Sequence, residues 1–63
     1  MAIGANIKRL REEREYSQNE LSKLLGISQS LLWKYERGET LPNVVNAAKI
    51  AGFFGLTVEE LMK

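Results

Sequence analysis

The stretch Ser17-Gln18-Asn19-Glu20-Leu21-Ser22-Lys23-Leu24-Leu25-Gly26-Ile27-Ser28-Gln29-Ser30-Leu31-Leu32 contains the signals that decide the fold. Ser17, with Glu20 three positions on, forms a capping box, in which hydroxyl and carboxylate each satisfy a backbone N–H that a helix start leaves without a partner. Tyr16 and Leu21 flank it at the spacing of a hydrophobic staple. The helix so begun carries Leu21, Leu24 and Leu25 and meets Gly26, the residue best able to take the left-handed conformation that ends a helix. Only Gly26 and Ile27 separate that end from Ser28, a second N-cap, and Ile27 with Leu32 repeats the staple. Two helices therefore meet across a tight turn.

Outward from this stretch the same reasoning finds the remaining elements. The helix that begins near Ser28 turns Leu32 and Tyr35 inward, ends near Arg37 and stops at Gly38. A loop from Gly38 to Asn43 follows, with Asn43 capping a fourth helix from Val44 to Phe54 that ends at Gly55. Thr57 and Glu60 make a second capping box, with Leu56 and Leu61 as its staple, for a short last helix. Upstream, Ile3, Ile7, Leu10, Arg11 and Arg14 share one face of a first helix, while Lys8, Arg9, Glu12 and Glu13 take the solvated one. Gly4 weakens its first turn. With no strand pattern, repeat or linker, residues 1–63 read as one all-α domain of five helices.

Composition narrows the function. A chain of 63 residues, 44% of them apolar, buries one modest core and leaves no room for a deep pocket, so no small-molecule ligand is expected. Histidine and cysteine are absent, which removes the commonest general bases, nucleophiles and zinc ligands, and Glu12, Glu13 and Glu15 lie on solvated faces. The expectation is a protein that is not an enzyme and needs no cofactor or metal. Apolar runs are short, so neither a membrane span nor a signal peptide is expected, and the location expected is the cytoplasm. The net charge of +1 neither announces nucleic-acid binding nor opposes it. From Leu21 to Pro42, Lys23, Lys34 and Arg37 stand against Glu36 and Glu39, and internal pairing of Glu36 would make the outward field more positive than the count.

The two central helices fit the needs of a helix-turn-helix: a small residue where the helices cross (Ser22), a glycine in the turn (Gly26) and a bulky aliphatic closing the angle (Leu32). The second helix must stand proud to enter a groove about 12 Å wide with its first residues at base edges. Gln29, Ser30, Trp33, Lys34 and Arg37 point away from Leu32 and Tyr35, and glutamine pairs bidentately with adenine while lysine reaches guanine or phosphate. Trp33 could meet a thymine methyl or a sugar-phosphate edge, or serve as half-buried packing.

The chain resembles the Cro/C1-type (phage repressor-like, Xre) helix-turn-helix family from Ile3 to Leu61. The likeness rests on Ile7 to Arg11, on Ser17 to Leu21, on Gly26 to Ser30, on Tyr35 to Glu39, on Pro42, on Lys49-Ile50-Ala51 and on Thr57 to Leu61. It implies a compact lambda-repressor-like bundle of five helices that binds double-stranded DNA as a repressor-like transcriptional regulator, in a bacterial or phage-type, nucleoid-associated setting. It implies that Gln29, Ser30 and Lys34 face bases, and Trp33, on the same outer face, is a further candidate base contact. Gln18, which would also brace Gln29, Asn19, Arg37 and Thr40 would meet phosphates. It implies a structural ion pair between Arg11 and Glu36, which accounts for an arginine on the apolar face of the first helix. A weak homodimer on a pseudo-palindromic operator is implied too, with its seam at Phe53, Val58, Leu61 and Met62. The chain departs from the family pattern at Trp33, at Ala47 and Ala48, where leucines are usual, and at Gly52-Phe53-Phe54, whose rings would return the volume lost. A second class fits the same scaffold, a protein-interaction module of antitoxin-like or scaffold type, because the charge is close to neutral.

Overall fold

The computed structural model describes residues 3–63; of the expected 1–63 domain, the first two positions lie outside the described residues. Five helices follow in order: α1 (Ile3–Glu13), α2 (Gln18–Leu25), α3 (Gln29–Arg37), α4 (Val44–Phe53) and α5 (Val58–Met62). Each start from α2 onward is fixed locally. Ser17, Ser28, Asn43 and Thr57 sit in extended conformation, and each side-chain oxygen accepts from the N–H three residues on, at 2.8 to 3.0 Å. Glu20 and Glu60 close capping boxes by accepting from the backbone N–H of Ser17 and Thr57, and those bonds hold both carboxyls below their ordinary pKa.

The ends obey the same local chemistry. Gly26 and Gly38 adopt φ of +71° and +74°, so that Ile27 donates back to the Ser22 carbonyl and Glu39 to the Lys34 carbonyl. Helix α4 ends one residue before the expected Phe54, because Leu56 reaches back to the Ala51 carbonyl at 2.8 Å and draws Phe54 out of helical geometry. At the end of α1 no glycine is available, and Glu15 takes the left-handed conformation itself, at φ +59°. That conformation costs a non-glycine residue about 1 kcal/mol.

Ile7, Leu21, Leu32, Ile50 and Leu61 form the fully buried centre, ringed by Ile3, Leu25, Tyr35, Ala51 and Phe54. Helix α3 lies against α1 and α2, and α5 closes the far side against α1 and α4. Two polar ties fix this arrangement: Asn6 Nδ2 donates to the Leu61 carbonyl at 2.7 Å, and Asn46 Nδ2 to the Tyr35 hydroxyl at 2.9 Å. Of the two alanines that replace leucines, Ala47 is buried and Ala48 is exposed, so core volume is missing at only one. Phe54 is buried in the core, while Phe53 packs its ring on Tyr16 and Phe54 at centroid distances of 5.9 and 5.2 Å. Arg14, expected on the apolar face of the first helix, falls in the turn just past the end of α1, where its guanidinium lies 5.0 Å above the Phe54 ring.

Gly4 does more than weaken a turn. It is buried where α1 crosses α3, and a Cβ there would stand 2.1 Å from the Tyr35 carbonyl oxygen. The backbones meet without an intervening side chain, which sets how deeply α3 sits and how far its outer face projects. Gly4→Ala must push the helices apart and is expected to lower stability by about 1 to 3 kcal/mol or more. Gly52→Ala adds its methyl in α4, where nothing stands within 4 Å, and is expected to gain about 0.5 to 1 kcal/mol. Urea unfolding of both variants checks this; equal effects of the two would refute the close-crossing role of Gly4.

Candidate nucleic-acid interface

The candidate face is built on α3. Leu32 and Tyr35 anchor the helix in the core, so Gln29, Ser30, Trp33, Lys34 and Arg37 stand exposed on its other side. Gln29 and Ser30 occupy the first turn, where the Ser28 cap holds the backbone and leaves both side chains to solvent. Lys34 lies one turn further along. Asn19, in the first turn of α2, and Thr40, beyond the end of α3, are exposed as well.

Behind this face lies an ion pair. Glu36 accepts from Arg11 Nε at 2.7 Å and from Arg11 Nη2 at 3.0 Å, a two-pronged geometry, and the side chains are 3% and 12% exposed respectively. The remaining nitrogen of the fork, Nη1, donates to the Tyr16 carbonyl at 2.9 Å. Glu36 holds the Arg11 guanidinium charge still more firmly than usual, raising its pKa, and burial opposes this less strongly. Gln18 completes the network, its Nε2 donating to Glu36 Oε1 at 3.0 Å. Expected to brace Gln29, Gln18 is turned instead toward the carboxylate. One of its two amide protons is committed there, which leaves the second proton and the carbonyl for a ligand.

Burial of Glu36 changes the electrostatics of the surface. Its charge is taken up by Arg11, so Lys23, Lys34 and Arg37 face outward with Glu39 as the exposed acid beside Arg37. Arg37 does not extend freely: its Nε lies 2.5 Å from Glu39 Oε2, and its Cζ sits 4.4 Å above the Trp33 ring. From sequence, Glu39 entered only as a charge and as the last residue of the Tyr35 to Glu39 stretch, with no pairing assigned to it. The signal available was its place two residues after Arg37 across a glycine cap.

Of the four residues assigned to a seam between copies, only Val58 and Met62 are brought together. Leu61 is fully buried, held under α1 by the Asn6 bond to its carbonyl, and cannot reach a partner in this fold. Its position as the staple of α5 directs it inward, which corrects its assignment to the seam. Phe53 packs against Tyr16 and Phe54. Val58 and Met62 line an apolar groove of about 220 Å³ together with Ile3, Leu41, Pro42, Val44 and Ala47. Leu41 and Val44 were missed, although an isolated leucine in a polar loop followed by Val44-Val45 is a visible signal. They are 57% and 83% exposed.

A family model described as Helix-turn-helix matches residues 7–61. The chain belongs to the Cro/C1-type helix-turn-helix family. Over 60 residues it is 31% identical to the cryptic phage CTXphi transcriptional repressor RstR of Vibrio cholerae, which covers 95% of this chain and 54% of that protein. It is 35% identical over 60 residues to the uncharacterized HTH-type transcriptional regulator y4dJ of Sinorhizobium fredii, covering 95% and 78%. The crystal structure of SinR, the master regulator for biofilm formation, in complex with DNA is similar with a TM-score of 0.87 at 31% identity, covering 97% of this chain and 98% of that one. The chain spans about half the length of RstR and less than a fifth of some other relatives. Among the described residues of this family member, no helix is long and apolar enough to cross a membrane.

Removing either partner of the Arg11–Glu36 pair leaves a buried charge uncompensated, at a cost of about 3 to 5 kcal/mol. At roughly 0.05 to 0.15 kcal/mol per residue a domain of this size holds about 3 to 9 kcal/mol in all. Arg11→Ala and Glu36→Ala are therefore expected to lose most of their structure at room temperature by circular dichroism. Either variant melting at the parent temperature would show that the pair does not hold the fold.

Proposed function

We propose that residues 1–63 act as a single, non-enzymatic unit that binds double-stranded DNA sequence-specifically as a repressor-like transcriptional regulator, with α3 in the major groove. The observation that carries this reading is the outer face of α3, where Gln29, Ser30 and Lys34 stand exposed on a helix anchored from behind by Leu32, Tyr35 and the paired Glu36. A rigid helix with donors and acceptors on its first turn suits base reading, because only those turns enter the groove deeply. The likeness to SinR, whose structure was determined in complex with DNA, supports the same assignment. Gln18 and Asn19 at the start of α2, with Arg37 and Thr40 past the far end of α3, would hold phosphates on either side. The positive end of the α2 dipole favours that placement. Trp33 would lie toward the sugar-phosphate edge under Arg37.

One such helix reads about half a site, so we propose a weak homodimer on a pseudo-palindromic operator, its half-sites about 34 to 36 Å apart. The apolar groove supports a seam at Val58 and Met62 that Leu41 and Val44 extend, with Phe53 further away. A cytoplasmic, nucleoid-associated location follows from this reading.

Gln29→Ala is expected to cost about 1 to 3 kcal/mol on the best sequence selected from a random duplex pool and little on random DNA, with the salt dependence nearly intact. Arg37→Ala should weaken both duplexes about equally and flatten the plot of log affinity against log salt. Anisotropy titrations at two or more salt concentrations measure all of these, and footprints at saturation report one or two half-sites. Equal losses on both duplexes for Gln29→Ala would remove it as a base reader. Failure of any duplex to bind at low salt would favour the protein-interaction module on this scaffold.

A further inference from the structure

The cluster of Trp33, Arg37 and Glu39 at the C-terminal end of α3 is built in a way that stability does not explain. Both members of the ion pair are half exposed, at 56% and 44%, and such pairs add little to folding. Glu39 also sits just beyond the Gly38 cap, beside the negative end of the α3 dipole, where a carboxylate is disfavoured and an arginine alone would be favoured. The backbone at Glu39 is fixed independently of its side chain, by the bond from its N–H to the Lys34 carbonyl at 3.0 Å. What the carboxylate does is hold Arg37 Nε while the indole covers one face of the guanidinium at 4.4 Å.

We propose that Glu39 is an intramolecular competitor for the DNA phosphate that Arg37 would contact, so that it sets how tightly the domain holds any duplex. The inference rests on α3 being the DNA-binding helix. A phosphate approaching side-on needs Nε together with one terminal nitrogen, and Nε is already taken. A phosphate approaching end-on meets a guanidinium whose charge is already balanced by a carboxylate a few ångströms away. Either way Arg37 counts for less than one released counterion until the Glu39 contact breaks. The chain carries a net charge of only +1, and the exposed cations of α3 are Lys34 and Arg37, so restraint on one of them bears directly on its sequence-independent attraction. Trp33 keeps the parked guanidinium flat, since arginine stacks on aromatic faces.

The test is a double-mutant cycle of Glu39→Gln and Arg37→Ala, titrated against a random duplex and the best selected duplex over a range of salt. Glutamine keeps the shape, and unchanged thermal melting confirms that the variant folds. Glu39→Gln is expected to tighten both duplexes by about three- to tenfold, the scale of gaining part of a phosphate contact, and to steepen the salt plot. In the Arg37→Ala background the same substitution is expected to gain little. Trp33, the one tryptophan of the chain, gives a readout free of DNA: freeing Arg37 from its parked position over the indole is expected to change the emission in Glu39→Gln in the same direction as removing the guanidinium in Arg37→Ala. Equal tightening in both backgrounds would mean bare repulsion between Glu39 and DNA, and would overturn the proposal. Unchanged or weaker binding would overturn it too, the latter making Glu39 a support for Arg37. In each of these cases duplexes still bind and the DNA-binding reading stands. If no duplex binds any variant at low salt, both fall together.

Discussion

The buried contact between Arg11 and Glu36 holds three elements in register. Arg11 comes from α1, Glu36 from α3 and Gln18 from the start of α2, and the Tyr16 carbonyl ties in the loop between α1 and α2. Two charges withdrawn from water would not stabilise a small domain unless nearly all their hydrogen-bonding capacity were met, and here three donors converge on one carboxylate. The consequence is directional rather than merely cohesive. A hydrophobic contact at the same place would tolerate small rotations of α3 about its axis, whereas a two-pronged guanidinium pair fixes them, and with them the direction in which Gln29 and Lys34 project. The close crossing at Gly4 fixes the depth of the same helix, so rotation and depth are set by different residues of α1.

Much of the fold was legible because its decisive signals are local. A cap is a hydrogen bond across three residues and a staple a contact across five, so both are written in adjacent letters, and Ser17, Ser28, Asn43 and Thr57 each start a helix as read. What escaped depends on geometry between distant segments or on conformations with no distinctive residue. Gly4 looked like a weakness because its use lies against the Tyr35 carbonyl, thirty-one positions away. Glu15 takes a left-handed conformation that sequence assigns to glycine or asparagine. Leu61 was placed on the surface by analogy, although its own staple position turned it inward. The candidate binding face was legible in its exposed members, which follow from the helical period once Leu32 and Tyr35 are anchored. The pairings of Gln18 with Glu36 and of Arg37 with Glu39 were not, since a long side chain chooses among several neighbours.

The domain separates two kinds of surface. The side of α3 is polar, with charges and amides held at fixed positions, while the junction of α1, α4 and α5 carries an open apolar groove with Val44 and Leu41 on its rim. In a core this small, helix α4 cannot bury both of its sides: Ile50 and Ala51 face inward, and Val44 and Val45 are left to solvent. Exposed valines at the start of a helix are no help to its folding, and one of them, Val44, lines the groove to which the proposed seam is assigned.

Net charge is a poor guide to such a molecule because its charges are not equally available. Glu36 is neutralised in the interior by Arg11, so the pair drops out of the external field together. Arg9 and Glu13 face each other on the exposed side of α1, where their contribution to the field largely cancels. What remains exposed on α3 is Lys34 and Arg37, with Glu39 set against the second of them. A domain with a strongly basic face would bind every duplex well and discriminate by a small margin of a large affinity. One with few free cations must draw more of its binding from contacts that only the right base sequence completes; under the proposed DNA-binding reading, the burial of Glu36 and the exposure of Glu39 push this chain in opposite directions along that scale.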